Sequence, residues 1–260
     1  MHPEPATCNS KPARPYDRER FSIVIPVYNH EGKVQEVLKE ALELNLPVIV
    51  VDDGSTDSTA DRINTVEGVR VLRHQINQGK GAAILTGFKE ALKISDWAIT
   101  MDADGQHHPK DAIRLMGAVP EGKRPIVVGI RQGMIKTYVP WTSRFGRRFS
   151  NFWVWISGGP RMKDSQSGFR IYPLPECMNL DIKARRFQFE VEVLVKANRN
   201  RMPIIEEPIQ VTYDEGDQRI SHFHPFLDFC RNFGTFSRLI TQRILCPRPI
   251  RKGINRSCKK

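Results

Sequence analysis

The strongest constraint on the fold is an alternation in the first half of the chain. Short apolar runs occur at Phe21–Val27 (FSIVIPV), Pro47–Val51 (PVIVV), Val69–Arg73, Trp97–Met101 (WAITM) and Ile126–Gly129 (IVVG). Between them, apolar residues recur at helical spacing: Val34, Val37, Leu38, Ala41 and Leu42, then Ser58–Val66, then Ile84, Leu85, Phe88 and Leu92 within Lys80–Lys93. Pro109 suits the first turn of a further helix reaching about Ala118. Strands apolar on both faces and separated by helices imply a mostly parallel sheet in an α/β domain. Ligands of such sheets sit beyond the carboxyl ends of the strands.

The second half predicts a helix at FQFEVEVLVKA, a strand near Ile204–Val211 and a long basic, aromatic C-terminal segment. The simplest division is an N-terminal arm expected to be disordered (1–20), a Rossmann-like α/β domain (21–222) and a basic amphipathic C-terminal helical segment (223–260). The length of 260 residues allows a sizeable core. No stretch approaches the roughly 20 apolar residues that cross a bilayer, and the arm does not read as a secretory signal. The five cysteines are scattered without metal-ligand spacing, which fits reduced thiols in a cytoplasmic protein.

The formal net charge of +11 points to an anionic partner. No acidic residue lies between Glu121 and Asp164, where Arg131, Lys136, Arg144, Arg147, Arg148, Arg161 and Lys163 fall. No nucleic-acid-binding motif is present, and acids clustered at strand ends repel a phosphate backbone, so no nucleic acid is expected.

Chemistry-bearing residues follow the strands. Asp102 and Asp104, in MDADGQHH, point to the same side of an extended segment. Two such carboxylates with Gln106 suit a hard ion, Mg²⁺ or Mn²⁺; the bland alternative is helix capping. His107 is a further candidate ligand, whereas a His107–His108 pair before Pro109 more often forms a solvated turn. Asp52 and Asp53, in VDDGSTDST, can hold a ribose or base edge or simply build a turn around Gly54. Asn77, Gly79, Lys80 and Gly81 (NQGKG) offer amides and a cation to phosphate.

Taken together, FSIVIPVYNHEGKV, VVDDGSTDST, NQGKGAAILTG, MDADGQHHP and VVGIR resemble the ordered motifs of family 2 glycosyltransferases. DSQSGFRIY, FQFEVEVLVKA and IIEEPIQVTY resemble the dolichyl-phosphate mannose synthase and polyprenyl-phosphate glycosyltransferase branch, over residues 21–235.

The resemblance implies a GT-A fold and an inverting transfer from a UDP- or GDP-sugar. Pro26, Tyr28, Asn29 and Glu31 match the first nucleotide loop, although PVYNHE places the acid one position later than the usual P-x-Y-N-E. Asp53 and Gly54 match the nucleoside contact, and Asp102, Asp104 and Gln106 the metal site. Lys80 and Arg131 match groups facing the diphosphate or sugar, and Asp164 a position near sugar and acceptor, with Arg170 in the same motif. Glu190 and Glu192 match the acid-bearing helix. Arg219 and Ser221 match an R-x-S loop, here followed by His222. With Asp164, Arg131 and Arg219 as the catalytic set, the implied partners are a nucleotide-sugar donor, a lipid or polyprenyl-phosphate acceptor, an anionic membrane surface and a membrane-protein partner. Peripheral attachment to the cytoplasmic face is expected.

Two further features bear on this. Phe145, Phe149, Phe152, Trp153 and Ile156 form one apolar stripe, and Phe226, Cys230, Phe233, Ser237 and Ile240 a second, widened by Phe229, Phe236 and Leu239. Each can face lipid or pack on the domain. The competing enzyme class is a haloacid-dehalogenase-type phosphatase using Asp102 as nucleophile, which also requires a later acidic loop at a strand end.

Overall fold

A computed structural model describes residues 20–132, 141–210 and 225–245, with the backbone alone at 132, 141–147, 210 and 225–232. The strands are β1 (Phe21–Val27), β2 (Val48–Asp52), β3 (Val69–Arg73), β4 (Trp97–Thr100), β5 (Ile126–Gln132), β6 (Arg170–Pro173) and β7 (Ile204–Gln210). They form one sheet in the order β3-β2-β1-β4-β6-β5-β7. Only β6 runs against its neighbours, pairing antiparallel with both β4 and β5. The domain is thus a single α/β unit with a mostly parallel seven-stranded sheet.

The apolar runs of β1, β2, β4 and β5 read as strands because both of their faces are covered, whereas β3 at the sheet edge is partly exposed. In β1, Ile23 and Ile25 join one core while Val24 joins the other, and in β2 Val48 and Val50 oppose Ile49 and Val51. The first core receives α1 (Val34–Leu42), α2 (Thr59–Asn64) and α4 (Asp111–Gly117). The second receives α3 (Lys80–Ala91), α6 (Leu174–Met178) and α7 (Gln188–Arg199). Each fully buried aliphatic or Phe side chain here contributes about 1.5–3 kcal/mol. Cys177 is buried in the second core, where burial pushes its thiol pKa up, as suits an inert packing residue.

The remaining helices, α5 (Trp141–Ile156) and α8 (Pro225–Leu245), pack on α7. Val154, Val191, Val195, Phe236 and Leu239 form a small third core there, with Trp153 against it. The Trp153 and Phe236 rings lie 5.8 Å apart. This corrects the predicted stripes. Phe236 and Leu239, taken as the flank, are buried, as is Val154, which the first stripe omitted. Phe152 and Phe233, taken as stripe centres, are exposed. Packing on α7 selects which face turns inward, and helical spacing alone does not encode that choice. Among the described residues no helix is long and apolar enough to cross a membrane. The expected N-terminal arm, apart from residue 20, and the basic residues beyond Leu245 lie outside the described residues.

Candidate active site

The strand order reverses between β1 and β4, which places a crevice beyond their carboxyl ends. Tyr28 leaves β1, Asp52 ends β2, and Asp102 follows β4. The loop holding Asp164 feeds antiparallel β6 and so arrives at the same edge of the sheet. One rim therefore gathers candidates more than a hundred residues apart in sequence.

On the β1–β2 side the residues mostly build the rim. Pro26 is buried within β1, while Tyr28 is only partly buried. Asn29 takes a left-handed φ of 52° and its Oδ1 accepts from the Thr56 amide at 2.8 Å. Glu31 Oε2 accepts from the Ser58 amide at 3.0 Å, at the start of α2. Gly54 has φ 75°, and a Cβ there would lie 2.6 Å from the Ile76 carbonyl carbon, so only glycine fits beneath that loop.

Asp53, the expected nucleoside contact, is bonded within the protein. It is 2% exposed, and its carboxylate faces the NQG loop. Oδ1 pairs with His74 Nδ1 at 2.7 Å and accepts from the Gln78 amide at 2.9 Å, while Oδ2 accepts from the Gly79 amide at 2.7 Å. A buried carboxylate is stable only with such donors around it. His74 Nε2 in turn meets Thr86 Oγ1 at 3.0 Å, a link with no signal in the sequence.

Lys80 begins α3 and reaches across the crevice. Its Nζ lies 2.7 Å from Asp102 Oδ1 and 2.6 Å from Glu190 Oε1. Burial works against the Lys80 charge, but the two carboxylates outweigh it and raise its pKa. Burial likewise pushes the Asp102 carboxyl up, yet Lys80, followed by His107, holds it below the usual carboxylate range.

The chain alternates after β4. Met101 and Ala103 are buried, while Asp102, Asp104 and Gln106 are partly open. Asp104 Oδ1 accepts from the Gln106 amide at 3.0 Å, and a Cβ on Gly168 would meet Asp102 Oδ2 at 2.5 Å. An oxygen-only set of two carboxylates and an amide fits a hard divalent ion. Among the described residues no group of three His, Cys, Asp or Glu converges on a metal position. An ion held there would therefore complete its shell with water and phosphate oxygens.

His107 is not in a solvated turn as its sequence context suggests. It is 7% exposed, packs 5.2 Å from the Phe169 ring, and burial lowers its pKa despite Asp102 and Asp104. His108, by contrast, is exposed.

Arg131 and Asp164 meet directly. Arg131 Nε and Nη2 donate to Asp164 Oδ2 and Oδ1 at 2.7 and 2.9 Å. Asp164 has no exposure, and its loop is propped by Glu206 Oε1, which accepts from the Lys163 amide at 2.7 Å. Arg170 is fully buried and donates to the carbonyls of Ser167, Glu190 and Ser165, fastening the DSQSGF loop to α7. Glu192, also without exposure, accepts from the Ala184 amide and pairs with Lys196 and Arg238, a structural role. Arg219, Ser221 and His222 lie outside the described residues.

A family model described as "Glycosyl transferase family 2" matches residues 22–173. The UDP-N-acetylglucosamine–dolichyl-phosphate N-acetylglucosaminyltransferase of Methanococcus voltae is 31% identical over 215 residues, covering 74% of this chain and 86% of that protein. The polyprenol monophosphomannose synthase of Mycolicibacterium smegmatis is 28% identical over 218 residues, covering 78% and 82%. Among solved structures, mannosyl-3-phosphoglycerate synthase from Rubrobacter xylanophilus superimposes with a TM-score of 0.60 at 18% identity, over 94% of this chain and 80% of that one, a likeness of fold alone. The shared fold is the GT-A type. These likenesses set the phosphatase alternative aside: a seven-stranded α/β domain with its acids on the rim beyond β4, matched by the family model over more than half its length, belongs to glycosyl transferase family 2.

Proposed function

We propose that this protein transfers a sugar from a nucleotide-diphosphate donor, UDP- or GDP-linked, to a polyprenyl-phosphate acceptor at the cytoplasmic face of a membrane. The observation that carries this reading is the rim that brings Asp102, Asp104, Lys80, Arg131 and Asp164 to one edge of the sheet. Of the two named relatives, one by its name transfers N-acetylglucosamine to dolichyl phosphate and the other makes polyprenol monophosphomannose, which supports the acceptor class.

In this reading Pro26, Tyr28, Asn29, Glu31 and Gly54 shape the nucleoside end of the site. Asp53 holds the loop that closes it. Asp102, Asp104 and Gln106 would hold Mg²⁺ or Mn²⁺, which would neutralise charge on the departing diphosphate. Lys80 and Arg131 add positive charge nearby. A phosphate oxygen of the acceptor bonds to the anomeric carbon from the face opposite the leaving group. The bond from that carbon to the β-phosphate oxygen breaks, and the nucleoside diphosphate leaves with the electron pair. The sugar is inverted.

The Arg131–Asp164 pair favours this acceptor over a hydroxyl. A hydroxyl requires a base, and Asp164, the candidate, is shielded from solvent with both oxygens accepting from Arg131. A phosphate monoester is anionic and requires none.

Membrane attachment is supported by Phe152, Trp155, Phe233, Ile244 and Leu245, all exposed on α5 and α8. Apolar side chains flanked by cations are what an interfacial helix presents to acidic lipid. A panel of UDP- and GDP-sugars, with and without Mn²⁺, offered dolichyl phosphate or a soluble alcohol, tests the reading. Transfer to the alcohol alone contradicts it.

A further inference from the structure

A cavity of about 340 Å³ opens between the start of α7 and the middle of α8, and Arg185, Arg186, Gln188, Thr235 and Arg238 line it. None of these residues belongs to the donor centre proposed above. Arg185 and Arg186 are exposed, and among the described residues neither has an acidic partner. Arg238 is tethered to Glu192 Oε2 at 2.9 Å, which fixes its guanidinium at the cavity wall.

Gln188 is the more telling group. It is 5% exposed, yet its Nε2 has no hydrogen-bond partner. A buried amide N–H₂ without an acceptor is unfavourable; Gln188 borders the cavity beside the three arginines, with Nε2 itself closed to solvent. The 12-residue α7 starts beside the arginines without a side-chain cap at Phe187.

The arginine backbone is also held rigidly. The Arg185 carbonyl accepts from the Ala82 amide at 2.8 Å. A Cβ at Gly79 would fall 2.5 Å from Arg186 Cγ, so the NQGKG loop is pressed against this segment. The Lys183 and Ala184 amides donate to Glu192 on the other side. A segment clamped from both sides loses little freedom when it binds a ligand.

We propose that this cavity is a second, phosphate-binding site, in which Arg185, Arg186 and Arg238 supply the charge that holds the phosphate. Its shared ligand chemistry is a phosphate group, carried either by free phosphate or by a lipid headgroup delivered along α8.

The test is calorimetric titration of the full chain with inorganic phosphate, beside co-sedimentation with phosphatidylcholine vesicles with and without phosphatidic acid. Saturable phosphate binding weakened at least about tenfold in Arg185→Ala/Arg186→Ala supports the site. Arg185→Lys/Arg186→Lys retains part of the affinity, because charge survives while the planar fork does not. If the double alanine variant also loses retention on phosphatidic acid vesicles, the source is a lipid headgroup; if retention is unchanged, it is free phosphate. The proposal is overturned if the double alanine variant binds phosphate as the parent does, or if the parent shows no saturable binding. Donor hydrolysis assayed in parallel separates this outcome from a failure of the transferase reading.

Discussion

Arg131 grips Asp164 through two parallel hydrogen bonds, 2.7 and 2.9 Å long, while Asp164 is wholly shielded from solvent. Removing one member of such a pair leaves an uncompensated buried charge. Arg131→Ala is expected to cost about 3–5 kcal/mol in urea unfolding. Adding Asp164→Leu to that variant is expected to recover part of the loss, because the stranded carboxylate is then gone. A fully additive double variant contradicts the pairing.

Asp53 anchors three donors from the loop after β3. Hydrogen bonds to a charged group contribute about 1.5–3 kcal/mol each. Asp53→Ala is therefore expected to release the loop, so the Gln78 and Gly79 amides exchange faster with solvent hydrogen. The Michaelis constant for the donor should rise with them. Unchanged protection of both amides would show that the loop is held by other contacts.

At Gly54 the left-handed backbone and the Ile76 carbonyl carbon both exclude a side chain. A non-glycine residue in this conformation costs about 1–2 kcal/mol before any clash is counted. Gly54→Ala should lower the urea midpoint by more than that cost alone implies, with the slope unchanged. A midpoint equal to the parent's rules the argument out.

The Lys80–Asp102 link sets a pH window. The folded pKa of Asp102 lies below its unfolded value of about 3.9. Its contribution is therefore complete above that value and fades as pH falls through the folded one. Lys80 is raised above its unfolded value of about 10.4. Its contribution is complete below that value and fades as pH rises through the folded one. In Lys80→Met, burial acts on Asp102 without its main counter-charge, so acid unfolding should begin at higher pH than in the parent. Circular dichroism followed from neutral to acid pH measures the onset, and identical curves contradict the prediction.

Asp104 is partly open and contributes one oxygen to its own turn. Asp104→Asn should leave the unfolding midpoint close to the parent's while reducing turnover by orders of magnitude. Chelator should abolish turnover in the parent, and Mn²⁺ restore it. Full turnover in excess chelator rules out metal dependence.

The sequence alone determined six of the seven strands and their alternation with helices in the first half; antiparallel β6, which is only four residues long, was not legible in it. Ile23, Val24 and Ile25 alternate between two cores, and such a run, apolar on both faces, has few homes outside a covered parallel sheet. The motif order also located the rim residues, because a ligand crevice at strand ends follows from the topology. Burial and partner choice were left to tertiary structure. Asp53 turning inward depends on the amides of Gln78 and Gly79, 25 and 26 residues away. The inward side of α8 depends on where α7 presents Val191 and Val195. His107 is buried because Phe169, beyond α5, packs over it. Periodicity describes a single element, whereas these outcomes are set by contacts between elements distant in the chain, and only the assembled fold brings them together.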